Sequence, residues 1–320
     1  MNILITGAGG FIGYHLASRL LEGGFNVIGT IRRAGMSSAD SKQRLKKLEV
    51  RAAKSSGKLQ IVRCEEYEGL YNMLQKLRPE VCVHLAGKSS VRESINNPEL
   101  YQEANYRFTA SLLETLRRSG CRRVIYASSV MVYGGDAPVP YQEDQIGSSP
   151  LSPYGASKLA GEVLVNTYSR LYKIEAVTLR LFSAYGPHLR RDCVPYIFAS
   201  AILQGQPLTV FGDGSAMRDY IEIEDVVNAF QAAILGGNSD LTLNVGSGFG
   251  TSTVELIHIL EKALKKKAKI IFKPAINGEL NVAVPDISQA MNILQWEPKI
   301  SLEAGAARMA AWFKSPDAVG

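Results

Sequence analysis

The chain begins with a regular alternation of short apolar runs and longer segments whose apolar residues recur every three or four positions. Between the first two runs, Ile12, Leu16 and Leu20 follow a helical period, and Gly23-Gly24 ends the predicted helix. Most runs are apolar on both faces, as parallel strands covered by helices are. The pattern predicts an α/β fold with a doubly wound, Rossmann-like parallel sheet. The predicted strands are residues 2–6, 26–30, 59–62, 81–85, 123–127, 176–180 and 241–245.

Composition limits the classes of protein to which the chain can belong. A hydrophobic fraction of 46% in 320 residues indicates a folded protein with a large core. The net charge of +6 suits an anionic small-molecule substrate, and because the basic residues form no reading motif, we expect no nucleic-acid partner. No apolar stretch is long enough to span a membrane, and the first residues already form a strand, so we expect a cytoplasmic protein without a signal peptide. Neither the four histidines nor the four scattered cysteines (Cys64, Cys82, Cys121 and Cys193) have metal-site spacing, so we expect no metal and no disulfide.

A glycine-rich turn follows the first strand and opens the first helix. Gly7, Gly10 and Gly13 are spaced G-x-x-G-x-x-G, with Phe11 and Ile12 in the first helical turn. Gly7 permits a tight turn, Gly10 permits close approach of a diphosphate, and Gly13 permits close packing of helix and strand. The helix N-terminus presents aligned N–H groups to the anion. The motif predicts dinucleotide binding.

The end of the second strand bears on which dinucleotide is bound. An acidic residue usually holds the adenosine ribose of NAD at this point. This chain has Arg32 and Arg33 instead, and guanidinium groups suit the 2′-phosphate of NADP. The alternative is that both are surface loop residues. We expect NADP as the cofactor, with NAD possible.

The regular alternation ends near Gly186, where glycine and proline become frequent. We therefore predict a dinucleotide-binding domain over residues 1–185 and a mainly substrate-binding domain over residues 186–320. The strand-like run at 241–245 indicates that the chain returns to the first domain near 220–246.

Two segments carry candidate catalytic groups. Tyr154 and Lys158 are four residues apart at the start of a predicted helix, so the phenol and the ammonium share one face. A nearby cation favours phenolate, which would lower the high pKa of the tyrosine towards a useful range. Ser128 and Ser129 end a predicted strand, and the carboxyl ends of such strands face the ligand crevice. Each motif alone has a structural alternative, a surface pair or a helix cap.

Taken together these segments resemble the extended short-chain dehydrogenase/reductases, which include nucleotide-sugar epimerases, dehydratases and 4-ketoreductases. The resemblance covers nearly the whole chain. It includes the glycine motif, residues 79–87, Asn105, the Ser-Ser…Tyr-Gly run, Tyr154…Lys158, residues 180–187, residues 218–221, Asp225 and residues 244–248.

The resemblance implies roles for particular residues. Ser129 would bond the reacting oxygen, Tyr154 would exchange its proton, and Lys158 would also hold the nicotinamide ribose. Further residues would contact the ligands: Leu85, Ala86 and Gly87 would line the cofactor cleft, and Ser89, Ser90, Ser183 and Arg218 would contact a nucleotide-diphosphate sugar.

Departures from the family pattern narrow the chemistry. Dehydratases and glucuronic-acid decarboxylases of this group carry an acid after the catalytic hydroxyl, where this chain has Val130 and Met131. Elimination is therefore disfavoured, and hydride transfer at a ring carbon, C4, remains. Arg32-Arg33 and a stretch at 88–94 similar to GDP-4-keto-6-deoxymannose reductases favour an NADPH-dependent 4-keto-sugar reductase. The alternative is a 4-epimerase with bound NAD.

Further departures leave the nucleotide undetermined. Ser183 stands where the family often has Asn, and residues 275–279 lack a common R-x-G-D motif, although Arg190 and Arg191 offer alternative charge.

Two other functions compete with this hypothesis. A non-catalytic NADP-binding regulator would usually lose Tyr or Lys of the pair, and this chain keeps both. A reductase of a small carbonyl compound without a nucleotide is disfavoured by Arg218. Two helices, roughly 100–118 and 154–172, further predict a homodimer, because relatives pair such helices in a four-helix contact.

Overall fold

The computed structural model describes residues 1–32, 38–64, 67–275 and 280–318. The strands are β1 (Asn2–Thr6), β2 (Asn26–Arg32), β3 (Leu59–Cys64), β4 (Val81–His84), β5 (Arg123–Ser129), β6 (Glu175–Leu181), β7 (Ser183–Tyr185), β8 (Pro207–Phe211), β9 (Met217–Glu222), β10 (Leu241–Val245), β11 (Gly250–Ser252), β12 (Lys269–Lys273) and β13 (Val282–Ala283). The helices are α1 (Phe11–Glu22), α2 (Ala39–Ala52), α3 (Tyr67–Leu77), α4 (Val91–Asn96), α5 (Pro98–Tyr101), α6 (Phe108–Ser119), α7 (Pro153–Tyr172), α8 (Val194–Gln204), α9 (Ile223–Leu235), α10 (Thr253–Leu264), α11 (Ser288–Leu294) and α12 (Leu302–Phe313). A π-helix (Gln102–Arg107) joins α5 to α6, and 3₁₀ turns follow at Val130–Val132 and Pro316–Ala318.

Seven parallel strands form the central sheet in the order β10-β6-β5-β4-β1-β2-β3. Its two faces are both covered, since Ile3 and Ile5 pack into one hydrophobic cluster and Leu4 into another, all fully buried. This burial explains the continuous apolar runs in the sequence. The predicted α/β class with a doubly wound parallel sheet is confirmed.

The first helix begins and ends where its sequence pattern predicts. Leu16 and Leu20 are fully buried against the sheet. Gly23 is the C-cap, and Gly24 adopts φ +79°, a left-handed conformation that glycine takes without steric cost. Because α1 begins at Phe11, a short turn after Thr6, the N-terminus of α1 lies directly beyond the carboxyl end of β1.

The later part of the chain builds two smaller sheets. In one, β9 pairs with β7, β11 and β13, and in the other β8 pairs with β12. Between them the chain returns to the central sheet, where Leu241 pairs with Val177 at the start of β10. We propose that residues 186–320, apart from this return, chiefly bind substrate. In the parts of the chain described here, no helix is both long and apolar enough to cross a bilayer.

We propose that α6 and α7 form the contact of a homodimer, because α7 exposes apolar side chains. Val163 and Leu171 are 59% and 66% exposed. Introducing a charge into a dimer interface without a partner is destabilising, while Glu keeps the helix propensity high. We expect Val163→Glu and Leu171→Glu to shift the mass in light scattering at micromolar concentration from dimer to monomer. Leu235→Glu, at a similarly exposed position on α9, is the control. A monomeric parent protein would contradict the prediction.

Candidate active site

The glycine-rich turn forms a cradle at the carboxyl end of β1. Gly7 has φ +76°, and a Cβ there would lie 3.1 Å from the backbone of Ala86. A Cβ at Gly13 would overlap the Gly7 carbonyl oxygen. Helix α1 starts at Phe11. Its N-cap residue, Gly10, has no side chain, so the first N–H groups of the helix have no side-chain cap. The close backbone packing and the helix N-terminus without a side-chain cap fit the diphosphate of a dinucleotide.

The segment after β4 lies between this cradle and α7. The backbone N–H of Ala86 donates to Thr6 Oγ1 on β1 at 3.0 Å. A Cβ on Gly87 would lie 3.5 Å from Lys158 Nζ and 2.8 Å from Asn105 Oδ1, so a larger residue would disturb both groups. The predicted cofactor residues Leu85–Gly87 therefore line the space between the glycine turn and the candidate catalytic lysine.

Helix α7 presents the candidate catalytic pair. Ser152 caps the helix by accepting from the Gly155 N–H at 3.2 Å. Tyr154 and Lys158, one turn apart, are both buried against the end of β5. Lys158 Nζ donates to the Ala127 carbonyl at 2.8 Å. Two residues later on the same strand, the Ser129 hydroxyl lies close enough to the Tyr154 phenol to lower its pKa. The structure thus brings all three predicted catalytic residues together.

The electrostatics of Tyr154 differ from our prediction. Burial raises the pKa of the phenol above its ordinary value, while the Ser129 hydroxyl and the positive charge of Arg190 act in the opposite direction. Burial also lowers the pKa of Lys158 to about 8, opposed by the negative charge of Glu162. Burial outweighs these influences, so the pKa of Tyr154 is shifted in the opposite direction to the one we predicted.

Two of the predicted substrate residues lie at the loop that enters α4. Ser89 Oγ accepts a hydrogen bond from Arg190 Nη1. Ser90 is the N-cap of α4, and its hydroxyl accepts from the Glu93 N–H at 3.2 Å. The Ser90 side chain therefore already has a structural partner, whereas Ser89 faces a cationic group.

The other two predicted substrate residues lie in the small sheet. Ser183 is half-buried on β7, opposite Tyr220 of β9. Arg218 is on β9 and donates from Nη1 to the Met217 carbonyl at 2.9 Å. Both residues belong to the part of the chain that follows the sixth strand of the central sheet.

The sequence analysis missed a buried ion pair beside the catalytic groups. Glu162, one turn after Lys158, accepts from Arg180 of β6 at 3.0 and 2.8 Å, and both side chains are almost completely buried. The Ser128 hydroxyl donates to the same carboxylate. The spacing of Glu162 from Lys158 places the carboxylate on the same helix face as the lysine, but no local signal in the sequence indicates its partner Arg180.

Asn105, given no role by the sequence analysis, joins two of the predicted elements. It is buried in the π-helix, and its side-chain amide donates to Ser157 Oγ at 2.9 Å and to the Lys88 carbonyl at 3.0 Å. The Lys88 N–H in turn donates to Asn105 Oδ1 at 2.7 Å. This residue fixes the segment after Gly87 against α7.

Two sequence-based expectations fall on residues that the structure does not describe. NADP was predicted from Arg32 and Arg33; Arg33 lies outside the described residues, and only the backbone of Arg32, the last residue of β2, is described. Residues 276–279, where a common R-x-G-D motif is missing, lie outside the described residues as well. Within the described ranges, no group of three or more His, Cys, Asp or Glu residues is placed to hold a metal ion.

Comparison with known proteins agrees with this geometry. The sequence model of the family named GDP-mannose 4,6 dehydratase matches residues 4–309. The chain belongs to the extended short-chain dehydrogenase/reductases. It is an enzyme of the group that contains nucleotide-sugar epimerases and dehydratases.

Its sequence relatives match over almost their whole lengths. A UDP-glucose 4-epimerase of Mycolicibacterium smegmatis is 35% identical over 322 residues, which cover 98% of this chain and 99% of the relative. A UDP-glucuronate 4-epimerase of Thermodesulfobacterium geofontis is 32% identical over 313 residues, covering 97% and 95%. A crystal structure of UDP-glucuronic acid 4-epimerase from Bacillus cereus, with UDP-glucuronic acid and NAD, is 33% identical and superposes with a TM-score of 0.89, covering 98% and 99%.

We predict that Tyr154→Phe lowers kcat by about 100- to 10,000-fold, because the variant loses the group that exchanges the proton. Affinities for dinucleotide and nucleotide sugar should change little, since the ring is retained. Turnover and equilibrium binding on the same preparation provide the measurement.

Tyr168→Phe is the matched control, because its hydroxyl lies on the same helix and donates to Glu114 at 3.4 Å. Full turnover in Tyr154→Phe would refute the assignment.

Proposed function

We propose that the protein is an NAD-dependent 4-epimerase of a uridine-diphosphate sugar. The observation that carries this proposal is the grouping of Ser129, Tyr154 and Lys158 beside the glycine cradle, with no acid next to Ser129. Support for inversion at C4 comes from relatives named as 4-epimerases of UDP-glucose and UDP-glucuronate.

Each side chain has a separate role in the proposed reaction. Ser129 holds the C4 oxygen of the sugar, and Tyr154 takes its proton as the alcohol is oxidised and returns a proton as the ketone is reduced. Lys158 supplies positive charge beside the phenol and is available to bond a ribose hydroxyl. A nicotinamide held by the glycine cradle and by Leu85–Gly87 would supply a reversible hydride acceptor for C4, which can return the hydride to either face of the sugar.

The residues after Ser129 argue against elimination. Val130 is almost completely buried, and the Met131 N–H donates to Ser129 Oγ at 3.2 Å. Neither side chain can transfer a proton, so no group at this position can remove one from the carbon next to the ketone. We therefore infer that the 4-keto sugar is reduced rather than dehydrated. The matching family model nevertheless carries the name of a dehydratase.

The comparisons favour the epimerase over the reductase that the sequence analysis preferred. That preference came mainly from Arg32 and Arg33, and neither side chain is described. Solved epimerases similar to this chain carry NAD, as in the Bacillus cereus complexes. An epimerase consumes no reductant, so retention of one dinucleotide through many turnovers is the behaviour we propose.

Analysis of the bound dinucleotide and of the products tests this proposal. We expect NAD in the chromatogram after acid release from the purified protein, and inversion at C4 of a UDP-sugar without net change in absorbance at 340 nm. Stoichiometric oxidation of added NADPH by a 4-keto sugar, without C4 inversion of a UDP-sugar, would contradict the epimerase and restore the reductase.

Arg190 supports a finer proposal, that the sugar is a uronate. Its Nε and Nη2 donate to Asp192 at 2.9 and 2.6 Å, which fixes the guanidinium plane, and Nη1 reaches Ser89. The charge is close enough to Tyr154 to lower the pKa of the phenol. Because C6 is attached to C5, the neighbour of C4, a cation near the C4 oxygen also lies near a C6 carboxylate. Guanidinium groups bind carboxylates well.

We predict that Arg190→Met lowers kcat/KM for UDP-glucuronate on the order of 100-fold, the loss expected for a charged hydrogen bond. The value for UDP-glucose should fall much less, so the ratio of the two is the measurement. Arg51→Met, at an exposed arginine of α2 that pairs with Glu22, should leave this ratio unchanged. An equal loss for both sugars would exclude recognition of the carboxylate by Arg190.

A further inference from the structure

A buried arginine outside the candidate catalytic group joins the two halves of the site. Arg44 lies on α2, is only 5% exposed, and donates from Nε to the Gly9 carbonyl at 2.9 Å. Its Nη1 donates to the His188 carbonyl at 3.1 Å. Gly9 belongs to the glycine cradle, and His188 belongs to residues 186–193, called here the 186–193 loop. One guanidinium therefore bonds to both segments.

The first turns of α2 lie directly on both segments. A Cβ on Gly9 would overlap Ser41 Oγ, so the helix packs against the bare backbone of the cradle. On the same part of the helix, Asp40 forms an ion pair with Arg191 at 3.1 Å. These contacts make α2 a bridge between the cradle and the 186–193 loop, with Arg44 as its buried member.

The 186–193 loop is held in a conformation that needs external support. His188 has φ +64°, a left-handed conformation that costs free energy for a residue with a side chain. Leu189 next to it is buried in the core. The loop then carries Arg190, whose guanidinium contacts Ser89 and acts on Tyr154. Movement at His188 would therefore displace the cation beside the proton-transfer residue.

A second contact holds the entrance of the same loop. His15 Nε2 of α1 contacts the Pro187 carbonyl at 2.9 Å, and burial lowers the pKa of this histidine to about 4, so it is neutral at physiological pH. Arg44 differs from it in two ways. Its guanidinium stays charged, and it spans two carbonyls in segments that are far apart in the sequence. Removing it leaves both carbonyls without a charged donor.

We propose that Arg44 is a positioning residue that couples dinucleotide binding at the glycine cradle to the placement of the 186–193 loop against the sugar. The inference rests on the proposed function, in which the dinucleotide and a UDP-uronate bind on either side of this bridge. A diphosphate that fixes the Gly9–Gly10 backbone orders Arg44, and Arg44 in turn orders the loop that carries Arg190. By thermodynamic linkage, the sugar must strengthen dinucleotide binding by the same factor.

The test measures coupling rather than activity. In full-length protein carrying Tyr154→Phe, which slows turnover, the bound dinucleotide is first removed, and calorimetry gives the Kd for UDP-glucuronate before and after NAD is restored to saturation. We expect NAD to tighten sugar binding about tenfold, a typical coupling. With Arg44→Met added, each ligand should still bind, while the coupling factor falls to about one. Arg44→Lys keeps a buried cation with fewer geometrically fixed donors and should restore part of the coupling.

The control is Arg51→Met on the same helix, because Arg51 pairs with Glu22 and lies over the ring of Tyr14, outside both segments. It should keep the full coupling factor. A thermal melt of each variant establishes that it is folded, and if Arg44→Met does not fold, Arg44→Lys with unchanged coupling refutes the proposal.

The outcomes separate the two hypotheses. If NAD and UDP-glucuronate bind to the parent protein but are uncoupled, or if Arg44→Met retains the parent's coupling, the role of Arg44 is refuted and the proposed function stands. If the parent binds neither ligand, the proposed function itself fails, and the role of Arg44 fails with it.

Discussion

The buried ion pair between Glu162 and Arg180 is the interaction on which the arrangement of the site depends. It joins α7 to β6, and the Ser128 hydroxyl joins the same carboxylate to β5. Breaking such a pair by removing one partner leaves an uncompensated buried charge and typically costs about 3–5 kcal/mol. A pair of this kind is not needed for stability alone, since apolar residues could fill the same space. Its value is geometric, because it fixes the register of α7 and thus the distance between the serine that ends β5 and the phenol one helix away.

Burial has a second consequence at this position. The same exclusion of water that strengthens the ion pair raises the pKa of Tyr154 and lowers that of Lys158, so desolvation opposes the charged form of each. Two influences work against this effect at the tyrosine, the hydroxyl of Ser129 and the charge of Arg190. The acidity of the phenol is thus set in part by a residue from a loop far along the chain. In the proposed function, proton transfer and sugar recognition therefore share Arg190.

The sequence predicts the inner strands of the central sheet well because they are buried on both faces, and a continuous apolar run such as 124–127 is typical of such strands. It also predicts that Tyr154 and Lys158 share a face, since helix geometry alone determines that. It does not predict the contacts of Arg44, whose two carbonyl partners are 35 and 144 residues away. Nor does it predict the sign of the Tyr154 pKa shift, because burial depends on the packing of several elements. The homodimer, the domain division and the individual site roles remain predictions.

In this family, the product that forms after oxidation of the sugar depends on a few side chains in the active site. In the proposed reaction, oxidation at C4 uses the serine, the tyrosine, the lysine and a nicotinamide, and the resulting ketone can then eliminate, lose carbon dioxide or be reduced again. Elimination needs a base beside the adjacent carbon, and Val130 and Met131 provide none. A 4-keto uronate is prone to decarboxylation, because its C6 carboxylate is attached to C5, the carbon adjacent to the C4 ketone. A guanidinium held by Asp192 opposes that loss by stabilising the carboxylate charge, which carbon dioxide does not carry. Arg190 therefore suits an enzyme that must oxidise a uronate and reduce it again with all six carbons retained.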